Sequence, residues 1–162
     1  MQKNLFTKYF TICVTLILSA ILLLGSFLMV FAGQYFRNDK MEMLEQYAAQ
    51  ATGLTMAAYQ QNNYLYLDEA TLSSVYNVLA NAAEVSIFLS DINGKVLLCT
   101  DESIFVDPTM PLSEAVLQEA LSGRFEDDAR LDGAYRARHY TKAQKIGLPD
   151  GRTSGYVFVT AS

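Results

Sequence analysis

Hydrophobic and polar positions follow different rules in different stretches of this chain, and each change of rule marks a new element. Between Lys8 and Arg37 lie 28 residues without a charge, rich in Leu, Ile, Val, Phe and Met. A helix rising about 1.5 Å per residue would stretch this run to about 42 Å, whereas a bilayer core requires roughly 30 Å. So long and uniform an apolar run predicts a transmembrane helix over residues 9–33, behind a tail of residues 1–8. From Gln34 to Gln61 helix formers continue without a proline, and Leu44, Tyr47, Ala51, Leu54 and Ala58 are spaced as a heptad seam. A membrane-proximal helix over residues 34–61 follows. Its seam suits pairing with a second subunit as well as packing on a domain of residues 62–162.

Asn62-Asn63 should break this helix, with Tyr64-Leu65-Tyr66-Leu67 as a brief connection. Asp68 can cap a second helix reaching Ala83, with Leu72, Val75, Tyr76 and Leu79 on one face. The period then shortens to that of strands. Val85–Ser90 and Lys95–Thr100 flank Asp91-Ile92-Asn93-Gly94, a hairpin turn whose Asn-Gly pair tolerates positive φ. Asp101–Pro111 has two prolines and no period, as a loop would. A short helix runs from Glu114 to Ser122, capped by Ser113, stapled by Leu112 on Leu117 and ended by Gly123. Strands are expected at Arg124–Asp127, Tyr135–Ala143 and Gly155–Ala161, with a turn at Pro149-Asp150-Gly151. The class is α+β: a transmembrane helix continuing into a long helix, then an antiparallel sheet of about five strands with helices on one side.

Charge refines the topology. All 17 acidic residues follow the apolar run, with ten of the 12 Lys and Arg, a net −7 for that portion. Phosphates would be repelled, which argues against nucleic acid as a partner. Lys3, Lys8 and the terminal amine outweigh the nearby Arg37 and Lys40, so the N-terminus is expected in the cytoplasm and the domain outside, after a single pass. A cleaved signal peptide is the rival, with Lys3 and Lys8 as its positive start and Val30-Phe31-Ala32 as its cleavage site. Its apolar core would be about half as long, which favours retention. No lipobox cysteine follows the run. Cys13 in the apolar run and Cys99 in a strand cannot pair within one chain, and both suit small buried positions.

Candidate chemistry concentrates in Tyr135–Ala143. Strand alternation would place Arg136, Arg138, Tyr140 and Lys142 on one face and Tyr135, Ala137, His139 and Thr141 on the other. Three cations on one face suit a carboxylate or phosphate ligand, or simply a solvated outer face. From the opposite face Tyr135 and His139 would make the contacts. The candidate ligand-binding set is therefore Tyr135, Arg136, Arg138, His139 and Tyr140. His139 is the only histidine and no Cys/His cluster accompanies it, so no metal site is expected and a structural imidazole is the plainer role. Glu126-Asp127-Asp128 with Asp132 lacks the spacing of an EF-hand and suits a solvated loop. The chain has no Gly-rich phosphate loop, nucleophile elbow or acid/base pair, so neither catalysis nor a cofactor is expected.

The apolar anchor, the long helix and Ile87-Phe88-Leu89-Ser90-Asp91-Ile92-Asn93-Gly94-Lys95-Val96-Leu97 resemble the PAS-like extracytoplasmic sensor (Cache or PDC) family. There a hydrophobic strand, an Asp-x-x-Gly-Lys turn and a second strand recur. Ala120-Leu121-Ser122-Gly123 and Gly155-Tyr156-Val157-Phe158-Val159 fit the same pattern, and Leu5-Phe6-Thr7-Lys8-Tyr9-Phe10 is similar to the openings of bacterial sensor histidine kinases. The resemblance implies a PAS-like sensor over residues 62–162, a small-molecule ligand and a homodimer in the cell membrane. It also implies a second membrane helix and a kinase core beyond Ser162. The chain is thus expected to be the sensory part of a two-component receptor, or a truncated product, with no kinase activity of its own. A chemoreceptor or a cyclic-dinucleotide enzyme would share such a sensor. An anchored surface or assembly protein, pilin-like in its apolar helix, would have neither ligand nor kinase.

Overall fold

The computed structural model describes residues 2–62, 67–123 and 125–162, with side chains from residue 6 onward. Asn63, the Tyr64-Leu65-Tyr66 connection, Arg124 and the side chain of Lys3 lie outside the described residues. Helix α1 spans Gln2–Gln61, and a turn at Asn62 follows it. The chain forms two compact units, one ending at Asp39 and the other Lys40–Ser162.

In the first unit α1 is long and apolar enough to cross a membrane. Its apolar side chains from Phe6 to Phe36 are all exposed, an arrangement that hydrocarbon stabilises and water does not. Thr11, Thr15 and Ser26 donate their hydroxyls to carbonyls four residues back, and Ser19 donates to Leu16. These hydroxyls therefore bring no unpaired donor into an apolar surrounding.

The second unit is built on an antiparallel sheet in the order β2-β1-β5-β4-β3. Its strands are β1 Ser86–Asp91, β2 Val96–Cys99, β3 Phe125–Asp127, β4 Tyr140–Gly147 and β5 Thr153–Ala161. Helices cover both faces, not the single face expected. The reason lies in β1, where Ile87 and Leu89 point one way and Phe88 the other, so each face is apolar and needs a cover. On one face, α1 from Met41 onward and α2 (Glu69–Ala83) pack on Ile87, Leu89, Val157 and Val159. On the other, α3 (Glu114–Leu121) and the long loops pack on Phe88, Phe158 and Ala143. Central β5 is consequently buried without a break from Gly155 to Ala161.

The seam of α1 is turned from its expected position. Met41, Leu44, Ala48, Ala51 and Thr55 face the core, while Tyr47 and Ala58 are half-buried and Leu54 is exposed. Both rows have the same spacing; the row with two alanines at its centre lets the helix approach the sheet. Thr55 is admitted to this row because its hydroxyl bonds the Ala51 carbonyl and the phenol of buried Tyr76 on α2. The inner face of α2 is likewise Leu72, Tyr76 and Ala80, with Val75 and Leu79 at its margin.

Local signals set the ends of elements. Asp68 caps α2 through the Thr71 amide, and Ser113 caps α3 through that of Val116, with Leu112 and Leu117 buried beside it. In the β1–β2 hairpin only Gly94 (φ 84) takes positive φ, not Asn93 as well. Asp91 and Lys95 close a three-residue loop, and the Asp91 carboxylate accepts from the Asn93 and Lys95 amides. A side chain at Gly94 would also strike the backbone of Leu112, which packs over the turn.

Candidate functional site

The segment expected as strand Tyr135–Ala143 is a strand only from Tyr140, and β4 then continues to Gly147. Before it, Leu131, Asp132 and Gly133 (φ 48, 52 and 88) turn the chain sharply, and the Leu131 amide donates to Asp127 Oδ2 at 2.7 Å. Residues 135–139 then bond to loops instead of a ladder. The Tyr135 amide donates to Arg130, that of Arg136 to Ile104, and that of His139 to Ala129. Strand alternation therefore does not govern these residues, and the expected cationic face does not form.

The five candidate side chains part company. Tyr135 is fully buried among aromatic rings, 5.5 Å from Phe105 and 6.3 Å from Phe88 between centroids. Phe88 in turn stacks on Phe158 at 4.7 Å. The Tyr135 hydroxyl lies 3.3 Å from Thr141 Oγ1, and burial holds its phenol well above the ordinary range, so it stays neutral. Tyr135 is a core residue. Tyr140 belongs to the α1 face, with the Lys40 ammonium 5.6 Å from its ring centroid. Arg138 is exposed, its Nε donating to the Asp128 carbonyl at 3.0 Å. Lys142, expected beside the arginines, is buried on the α1 face between Glu126 and Glu45.

Arg136 and His139 remain together. They line a cleft of about 330 Å³ with Glu84, Ser86, Asp101, Ser103 and Thr160. The cleft lies at one end of the sheet, where β1 begins and β5 finishes. Ser162 also borders it, and its carbonyl accepts from Lys40. Arg136 is fixed by its backbone amide on Ile104 and by Nε on the Phe105 carbonyl at 2.6 Å. The structure assigns its Nη atoms no bond among the described residues, so the fork of donors is available to a ligand. The half-buried imidazole of His139 rests 5.2 Å from the Tyr135 ring, with Nδ1 3.1 Å from the Ala137 carbonyl. Asp101 spends one carboxylate oxygen on the Ser103 amide. Sequence reasoning missed Glu84 and Asp101, which lie at the ends of α2 and β2 and carry no periodic signal.

Among the described residues, no three His, Cys, Asp or Glu side chains converge as metal ligands. Cys99 is half-buried at the end of β2, and burial pushes its thiol up to about 11, where it is a poor nucleophile.

No family model and no curated protein matches this sequence. In three dimensions the chain is similar to the sensor domain of Escherichia coli DcuS, with a TM-score of 0.51 at 12% identity, over 75% of this chain and 92% of that one. This is the PAS-like fold. The Vibrio cholerae histidine kinase DctB sensor domain is similar more loosely, with a TM-score of 0.44 at 11% identity, over 80% of this chain and 57% of that one. The cofactor-binding GAF domain of the nutrient sensor CodY from Clostridium difficile gives 0.39 at 18% identity, over 56% and 69%. Within the PAS-like fold, the α3 side of the sheet is closed here by the aromatic cluster. The open polar space at Arg136 and His139 lies at the end of the sheet.

Proposed function

We propose that this chain is the extracytoplasmic signal-sensing region of a membrane receptor, a two-component sensor histidine kinase, whose signal is a small molecule in the cleft at Arg136 and His139. One observation carries the reading: a sensor fold whose first core helix is the same continuous helix as the apolar membrane candidate. Residues 9–33 cross the bilayer, residues 1–8 stay inside, and the acidic domain stands outside. This chain supplies sensing; phosphoryl transfer belongs to a kinase core elsewhere in the receptor. Ligand can bias two arrangements of the sheet against α1 only by binding one of them better.

The outer helical surface supports a homodimer. Between Glu45 and Asp68 the sequence carries no charge, nor does α2 between Glu69 and Glu84. Leu54, Val75, Val78, Leu79 and Ala82 line an apolar groove there. A large uncharged apolar patch on a soluble surface supports a protein partner, and anchored copies share one orientation. Single cysteines in the full chain in membranes test this. Those at exposed Ala49, Gly53 and Ala57 should cross-link between copies, and those at buried Ala48 and Ala51 should not. Equal cross-linking at all five, or none, rejects the dimer. Protease added to intact cells should degrade Lys40–Ser162; protection of that domain would reject the receptor topology.

A further inference from the structure

The charges around the cleft assign it a class of ligand. Arg136 and His139 can receive an anion and Glu84 and Asp101 a cation, and Ser86 and Ser103 line the same cleft. At about 330 Å³ the space falls at the lower end of the range for small-molecule sites. A molecule with two carboxylates would leave Glu84 and Asp101 without a cationic counterpart. A molecule with one carboxylate and one ammonium finds a residue of opposite charge for each group.

Glu84 adds a second, independent observation. It stands immediately after α2 with φ 55 and ψ 41, a left-handed conformation that glycine adopts freely and that other residues resist. The helix end thus carries a carboxylate where an unstrained cap would carry none. Backbone strain of this kind clusters at ligand clamps and active sites.

We propose that the cleft binds a zwitterionic α-amino acid, with its carboxylate at Arg136 and His139 and its ammonium at Glu84 and Asp101. The inference rests on the cleft being the sensory site. The test uses the full chain in nanodiscs, titrated calorimetrically with each of the 20 standard L-amino acids and with succinate and glutarate. At least one amino acid should bind, and its des-amino and decarboxylated analogues should each bind about tenfold or more weakly. Arg136→Gln and Glu84→Gln should each weaken binding by a similar factor. Glu84→Gly should weaken binding while raising the melting temperature, a combination that misfolding cannot produce. Should succinate or glutarate bind with dependence on Arg136 but not on Glu84, the amino-acid assignment falls and the sensory cleft stands. Should an amino acid bind with no dependence on Arg136, or no probe bind at all, both fall.

Discussion

Lys142 offers a test of how the sheet is held to α1. Its side chain is 11% exposed, whereas its partners Glu126 and Glu45 are 49% and 65% exposed. Glu126 contacts the ammonium directly, and Glu45 on α1 lies 3.5 Å from it. The three groups therefore differ in what their loss leaves behind. Lys142→Met keeps the apolar stem and frees two carboxylates that water already reaches. Since burying an ammonium offsets most of what its pairing returns, the cost should be under about 1 kcal/mol. Glu126→Ala leaves the buried ammonium with one distant, solvated partner and should cost about 2 kcal/mol. Glu45→Ala removes an exposed ion and should cost about 0.5 kcal/mol or less. The expected order is thus Glu126→Ala, then Lys142→Met, then Glu45→Ala. Adding Lys142→Met to Glu126→Ala should recover stability, because the stranded charge disappears. The assay is urea unfolding of the full chain in detergent micelles, followed by tyrosine circular dichroism, with the four variants at constant ionic strength. A Lys142→Met chain less stable than Glu126→Ala, or a double variant less stable than either, would refute the reasoning.

Three further outcomes are expected. A Cβ at Gly155 would lie 2.2 Å from the Ser90 carbonyl oxygen, and central β5 cannot retreat between its two partners. Gly155→Ala should therefore cost about 3 kcal/mol or more, and a wild-type melting temperature would contradict it. Leu44→Ala should cost about 2–5 kcal/mol and Leu54→Ala less than about 1 kcal/mol, since the first is fully buried and the second 38% exposed; equal costs would restore the other seam. Burial pushes the Tyr76 phenol up to about 12 from an ordinary 10.0. Folding thus favours its protonated form: that stability is complete below pH 10 and is lost as pH rises through about 12, by up to about 3 kcal/mol. Absorbance titration of wild type against Tyr76→Phe checks this, and a Tyr76 that ionises near 10 in the folded chain would oppose it.

What the sequence revealed of this fold divides by the range of the interaction responsible. Asp68 and Ser113 bond amides three residues away, so the starts of α2 and α3 could be read directly. The hairpin strands, α3 and β5 follow from patterns of comparable reach. The α1 seam was legible as a spacing but not as a face, because Leu44 belongs to both rows and only the sheet decides between them. Tyr135–Ala143 misled for a related reason. Its alternation is genuine as a string of residues, but a strand exists only where a neighbouring strand supplies bonds, and Tyr140 is the first to meet β5. The five residues before it bond to loops around Ile104 and Arg130, contacts that no period announces.

The same distinction applies to the candidate site. Arg136 and His139 were legible as chemistry because their types stand out in a short segment. Their counterparts were not, since Glu84 and Asp101 come from the segments flanking the β1–β2 hairpin. Antiparallel pairing brings those segments together beside the end of β5, where Ser86 faces Thr160. A face of one element leaves a period in the sequence; a cleft made from the ends of several leaves only residue types. That is why a three-cation face could be inferred from alternation alone, and why the assembled cleft has both signs of charge. Its selectivity is a property of the topology that gathers those ends.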